Sequence, residues 1–243
     1  IIVAVAKPAA RERAFAALAG PDAWAGSDEV PLELRDRVLA GTLTETDIPS
    51  DLVTVADLRG ELHAHSDWSD GRATILEMAR AARARGDAYF AVTDHSAPYA
   101  MVGGLDADRI AAQADEIQAA NEILQREHED DGEPLLRVLR GTELEILADG
   151  TLGLPDSVLA RLDWVVASLH VQQGQSAEVV RERMRPVLEN PLVDAIGHPT
   201  SRRLLKRERT ALDVNWLIEQ SAAHGVVLEI NANPDRLDLD SKH

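Results

Sequence analysis

The sequence contains no cysteine, and it has only four tryptophans, two tyrosines and two phenylalanines among 243 residues. Without cysteine there is no disulfide and no thiolate ligand, so any metal here is held by nitrogen and oxygen donors. The compartment is left open by cysteine usage, and nothing in the composition opposes the cytoplasm. No apolar run approaches the roughly 20 residues of a membrane span. The opening stretch, IIVAVAKPAARER, lacks the charged leader and small-residue cleavage pattern of a signal peptide. A soluble, cytoplasmic chain with no membrane partner is expected. Ile1 is not an initiator Met and residues 1–6 read as an interior strand, so a fragment of a longer protein is also expected.

Basic residues are scarce as well: 25 Lys and Arg against 42 Asp and Glu give a formal net charge of -17. That balance argues against broad non-specific binding to nucleic acid, because phosphate contacts need clustered Lys and Arg. It leaves room for a local basic patch. A hydrophobic content of 45% with 28% charge is ordinary for a globular chain, and the length suits one large domain or one domain plus a fragment.

What the chain does have is a patterned set of histidines. Glu61 to Gly71 reads ELHAHSDWSDG. With Asp57–Leu62 as a strand, the period of two places His63 and His65 on one side, so that both imidazoles converge on one point. Asp70 then offers a third donor from a turn in which Gly71 permits the backbone reversal. Taken alone, these eleven residues fit equally well a strand with two ordinary histidines beside an Asp-Gly turn.

The surrounding pattern decides between the two. Residues 1–6 form a strand candidate and Ala9–Leu18 a helix candidate; a Pro- and Gly-rich connecting segment around a helix at Leu32–Ala40 follows, with a domain boundary near residue 50. Beyond it, strands are expected at Ala88–Thr93, Leu135–Leu139, Asp163–Ser168, Val193–Ile196 and Val226–Ile230. Helices are expected at Thr74–Arg85, Asp106 to about His128, Asp156–Leu162, Ala177–Leu188 and Thr210–His224, several closed by glycine. Continuously apolar strands in βα alternation indicate a parallel sheet buried on both faces, in a barrel or a doubly wound arrangement.

Against that alternation His63, His65, His95, Glu143, His170 and His198 all fall at or just beyond strand C-terminal ends, which in a β/α barrel form the face that carries the active site. His128, His224 and His243 fall at helix ends or the terminus and read as solvated or capping residues. A single histidine is more often a satisfied buried or loop residue than a ligand. Five at one face, with carboxylates and no thiols, point to a metal site, and so many ligands point to more than one ion. Ions a few ångströms apart suit phosphoester hydrolysis, since they generate hydroxide near neutral pH and neutralise phosphate oxygens without a protein nucleophile. The chain has no Gly-x-Ser-x-Gly elbow to suggest otherwise. The basic run Ser201–Arg209, SRRLLKRER, follows His198 and offers Arg202 or Arg203 as a phosphate contact, although a charge run is usually a solvated helix face. Trp68 could stack on a base or pack over the rim.

These motifs, His63-Ala64-His65 with Ser69-Asp70-Gly71, Thr93-Asp94-His95, Gly141-Thr142-Glu143, Ser168-Leu169-His170 and Gly197-His198-Pro199, resemble those of the PHP (polymerase and histidinol phosphatase) family, over roughly residues 57 to 240. The finer resemblance is to the C-terminal domain of bacterial and archaeal family X DNA polymerases, through DLRGELH at Asp57–His63, GHPT at Gly197–Thr200, LEINANP at Leu228–Pro234 and VPLELR at Val30–Arg35.

The resemblance implies an α/β fold, a distorted (β/α)7 TIM-like barrel, with residues 1–50 as the end of a polymerase domain or a connecting segment and residues 51–243 as the phosphoesterase domain. It implies two to three divalent ions (Mn, Zn or Fe) held by His63, His65, Asp70, His95, Glu143, His170 and His198. The catalytic residues among them would be His63, His65, Asp70, Glu143 and His198. It also implies 3'-5' exonuclease or related phosphodiesterase action on a DNA 3' end in repair, with a polymerase domain in the same full-length chain. The family's last Asp-x-His motif and final strand are not found before His243, so the barrel is expected to lack its last strand. A histidinol-phosphatase-like phosphomonoesterase and a non-catalytic metal-binding module supporting a polymerase are the alternatives. His-x-His also occurs in amidohydrolases, but the Asp70 and Glu143 motifs point away from them.

Overall fold

The computed structural model describes residues 57–97, 102–203, 206–231, 236, 238 and 239. The elements expected before residue 50 and the boundary placed there lie outside the described residues. So do most of the Asn231–Pro234 stretch and residues 240–243.

Helices start and stop where the sequence provides caps. Helix α1 (Ile75–Arg85) opens with a capping box, in which Glu77 N–H donates to the Thr74 hydroxyl and Thr74 N–H to the Glu77 carboxylate; it closes at Gly86 with φ 100°. In α2 (Ala107–Asp131) Asp106 caps the Arg109 N–H at 2.9 Å, and Ile110, Gln113, Ile117, Ala120 and Leu124 are buried along one stripe. A short α3 (Asp156–Leu159), α4 (Ala177–Glu189, capped by Ser176) and α5 (Val214–His224, capped by Asp213 and closed by Gly225) follow. Helix α5 starts later than Thr210 because Thr210 N–H donates to Thr200 O, which holds it in the preceding loop.

Between the helices run six parallel strands in sequential order: β1 (Gly60–Ala64), β2 (Tyr89–Val92), β3 (Arg137–Glu145), β4 (Trp164–Ser168), β5 (Ala195–Ile196) and β6 (Val227–Leu228). The structure corrects the extent of β3. The strand expected at Leu135–Leu139 starts at Arg137 and runs on through Gly141 to Glu145, nine residues in all. Arg137–Arg140 pair with β2, then Gly141–Glu145 with β4. Gly141 is a point of close backbone approach, since a Cβ there would lie 2.8 Å from Val92 O and 2.9 Å from Trp164 O.

Two apolar clusters fill the space between sheet and helices. One joins Ile75 and Ala79 of α1, Phe90 and Val92 of β2, Ile117 and Leu124 of α2 and Val138 of β3. The other joins Leu144 of β3, Val165 and Ala167 of β4, Met184 and Leu188 of α4, Ile196 of β5 and Leu217 of α5. Each Val, Leu, Ile, Phe or Met side chain among them, fully buried, contributes about 1.5–3 kcal/mol relative to exposure. Trp68 packs against both clusters and donates its indole N–H to Glu116 at 2.8 Å, so it serves packing.

The sheet curls, bringing the end of β6 back to β1, where His63 Nδ1 stands 2.9 Å from Glu229 Oε1. The architecture is a curled half-barrel of the distorted TIM-like kind. Among the described residues no helix is long and apolar enough to cross a membrane.

Candidate metal centre

The strand ends deliver their polar residues to one place. His63 lies in β1 and His65 one residue past it; His170 and His198 follow β4 and β5 by two residues; His95 follows β2 and bridges to Glu143. Glu143 is not beyond its strand as the sequence pattern suggests. It sits inside β3, and this places it at the centre of the cluster.

Both of its carboxylate oxygens face imidazoles. Oε1 is 2.9 Å from His198 Nε2, 3.2 Å from His63 Nε2 and 3.3 Å from His170 Nε2. Oε2 is 2.9 Å from His95 Nδ1 and 3.4 Å from His65 Nε2. Asp70, 46% exposed, approaches from the open side, 3.3 Å from His65 Nδ1 and 3.7 Å from His95 Nε2. Three overlapping triads have their donor atoms within 4.8 Å of one another: His63, His65 and Glu143; His65, Asp70 and His95; and His95, Glu143 and His170.

The residues behind the cluster hold it in shape. Glu229 accepts from His63 Nδ1 and from the backbone N–H of His198. Glu145 accepts from His170 Nδ1 at 2.7 Å and from the backbone N–H groups of His170 and Val171. Asp94, buried, takes the Ser66 N–H at 2.8 Å, the Ser66 and Ser69 hydroxyls at 2.5 Å each and the Gln113 amide at 2.6 Å, and this fixes the loop that carries Asp70. The buried guanidinium of Arg183 donates to Ile146 O, Leu147 O and Val171 O, tying the loops after β3 and β4 together. Asp238 accepts from Thr200 N–H and hydroxyl in the loop after His198. In that loop His198 (φ 28°) and Ser201 (φ 53°) occupy the left-handed region, a strained conformation for residues with a Cβ.

Protonation follows from this packing. Burial disfavours charge on His63, yet the Glu143 and Glu229 carboxylates outweigh it and raise its pKa well above the ordinary value. Burial likewise opposes a proton on His170, but Glu143 and Glu145 raise it to about 9. Burial, reinforced by the nearby His95 and His63 and only partly countered by Glu143 and Asp70, lowers His65 to about 4. Glu143 is buried, which favours its neutral form, but His63, His170 and His198 hold it well below the carboxylate range. In Glu229 the same contest, won by His63 and His198, brings the value down to about 2.

A divalent cation fits this donor set. Glu143 Oε1, His65 Nδ1 and His198 Nδ1 are buried without a hydrogen-bond partner, although Oε1 has three imidazole nitrogens around it. Neutral imidazole and carboxylate are what Zn, Mn and Fe accept. The cluster lines a cavity of about 440 Å³ together with Val102, Arg203, Arg207, Asn231 and Arg236. Of the two arginines expected at the phosphate, Arg203 lines this cavity, whereas Arg202 is buried and is not among its lining residues. Among the described residues of the run from Ser201, Arg203 and Arg207 pair through their backbones, and Arg207 Nε donates to Ser201 O. A larger groove of about 860 Å³ between α2 and β3 brings together no comparable donors.

Sequence comparison agrees with the geometry. Over 215 residues, 88% of this chain, the sequence is 41% identical to a protein of Bacillus subtilis named "DNA polymerase/3'-5' exonuclease PolX". It is 30% identical over 180 residues to a "Probable phosphatase" of Acetivibrio thermocellus and 33% identical over 176 residues to one of Photobacterium profundum, covering 70% of the chain in each case. The chain is thus similar to a polymerase with exonuclease function and to phosphatases, the two kinds of protein that its resemblance to the PHP family implies. It spans 36% of the length of the Bacillus relative and 64% and 63% of the two phosphatases. No protein-family model matches the chain.

The seven residues expected as ligands meet around one cavity: His63, His65, Asp70, His95, Glu143, His170 and His198. Sequence reasoning named Asp94 only as part of the Thr93-Asp94-His95 motif and did not single out Glu145, Glu229, Arg207 or Arg236. Glu229 lies within the LEINANP phrase, and that phrase was the available signal for it.

Proposed function

We propose that this chain is the metal-dependent phosphoesterase domain of a family X DNA polymerase, acting as a 3'-5' exonuclease on DNA ends in repair. The observation that supports this most is the convergence of five imidazoles on both oxygens of Glu143, in a chain 41% identical to a polymerase and exonuclease. The domain would run from about residue 51 to 243, with residues 1–50 joining it to a polymerase domain in the same protein. A cytoplasmic setting goes with that role.

His63, His65, Asp70, His95, Glu143, His170 and His198 would hold two to three divalent ions, with Mn, Zn or Fe as the suitable metals. When bound, such ions supply hydroxide at neutral pH and positive charge for the phosphate and leaving oxygens. The chain's own residues orient and confine the reaction. Glu143, set in a β-strand, keeps the imidazoles on a common centre, and the half-exposed Asp70 marks the side open to substrate. Arg203, joined by Arg207 and Arg236, lines the cavity where a phosphate would sit, and guanidinium forks match its geometry.

The phosphatase relatives support a second reading, a phosphomonoesterase acting on a small substrate of the histidinol phosphate kind. Elemental analysis of the purified protein, run beside hydrolysis of a single-stranded oligonucleotide and of histidinol phosphate with added Mn, separates the two. Two or more ions with oligonucleotide shortening support the exonuclease. Cleavage of the monoester alone supports the phosphatase. Bound metal with neither substrate cut would replace both with a non-catalytic metal-binding module. Retained hydrolysis in the His63→Ala/His65→Ala double variant would overturn the site.

A further inference from the structure

A metal-ligating imidazole is usually oriented by a hydrogen bond from its other ring nitrogen. In His63 the ring is held between two carboxylates, with Nδ1 at 2.9 Å from Glu229 and Nε2 at 3.2 Å from Glu143. In His170 the arrangement repeats, with Nδ1 at 2.7 Å from Glu145 and Nε2 at 3.3 Å from Glu143. Neither Glu145 nor Glu229 belongs to any of the three donor triads. Each spends its second oxygen on backbone: Glu145 on the N–H of His170 and Val171, Glu229 on that of His198. The carboxylates are therefore themselves immobilised. The middle triad differs, because both ring nitrogens of His65 and of His95 face the donor carboxylates Asp70 and Glu143.

We propose that Glu145 and Glu229 are positioning residues that fix the rings of His170 and His63 with Nε2 toward the metal, so that the two outer triads hold their ions more tightly than the middle triad of His65, Asp70 and His95. This rests on the reading of the cluster as a metal site. A carboxylate hydrogen-bonded to the far nitrogen of a ligating imidazole fixes its tautomer and raises its basicity, and loss of such a partner costs about 10–100-fold in metal affinity. Glu229 acts on two strands at once, since the same side chain restrains the His63 ring and the His198 backbone.

The test uses the intact protein stripped with chelator and titrated with Zn, with ring N–H resonances of the Zn-loaded protein recorded by NMR and metal-free melting temperature followed in parallel. In the wild type, the ion lost first against a graded chelator should leave the His63 and His170 Nδ1–H signals in place. Glu229→Gln should weaken Zn binding about 10–100-fold and move the His63 Nδ1–H signal while that of His170 stays. Glu145→Gln should do the converse. Lower melting temperature with unchanged affinity and unmoved Nδ1–H signals in both variants would overturn the inference and leave the metal site standing. A wild type that binds no Zn would overturn the metal-site reading itself.

Discussion

The backbone of Gly197 passes directly against the ring of His63: a Cβ on Gly197 would stand 3.0 Å from His63 Cε1 and 2.9 Å from Val166 Cγ1, and would run into Ser168 Oγ. The glycine just before His198 thus makes room for the first histidine of the cluster. Gly197→Ala should destabilise the chain by about 1–3 kcal/mol through overpacking. It should also weaken metal binding, because the atom displaced belongs to the ring of His63, one of the proposed ligands. Denaturant unfolding and metal titration of the one variant check both.

The metal-free chain should lose stability as pH rises from about 6.5 to 9. His170 has a folded value of about 9, above the unfolded value, so its contribution is fully present below about 6.5 and is lost as pH climbs through 9. His63, also raised, acts in the same direction. Glu229, lowered to about 2, contributes above roughly 4.3 and loses its effect as pH falls toward 2. Metal competes with the histidine protons, so the stabilisation on adding Zn or Mn should grow over the same alkaline range. Melting curves with and without metal from pH 6 to 9 would show the opposed trends.

Asp94→Asn should loosen the turn that carries Asp70. The carboxylate accepts four hydrogen bonds, and an amide in its place sets an N–H against at least one of those donors. A cost of about 1–3 kcal/mol is expected. Elemental analysis should find fewer ions retained after dialysis, even though Asp94 is in none of the donor triads.

Arg203→Ala and Arg236→Ala should each raise KM for a phosphoester about tenfold or more with a smaller change in kcat, since a charged hydrogen bond contributes about 1.5–3 kcal/mol. Arg202→Ala should act on stability, because that residue is buried away from the cavity lining. Steady-state kinetics of the three variants distinguish these roles.

Much of this was legible in the sequence because it follows from local rules. The period of two brought His63 and His65 together, with ring centroids 5.5 Å apart, and capping chemistry marked Thr74, Gly86, Asp106 and Gly225. The reading failed where a residue's meaning comes from its neighbours in space. Gly141 is a breaker by composition and a strand residue by its fit between β2 and β4. Glu145 and Glu229 are ordinary strand-end carboxylates until the pairing of β3 with β4 sets the one against His170 and the curl of the sheet sets the other against His63. The charge run from Ser201 has no periodicity that would reveal which guanidinium turns inward.

β1 and β6 are the two edges of the described sheet, and His63 and Glu229 join them across 166 residues of chain. Closing a flexible loop of that length costs about 4.5 kcal/mol of chain entropy. Sequential parallel strands can add one after another, but this contact has to await both ends. It is expected to form late in folding, so that a fault introduced at Glu229 should accelerate unfolding far more than it retards folding. The donor triads come from β1 to β4 and the loops that follow them, so closure by Glu229 fastens a donor cluster that the earlier strands have already gathered.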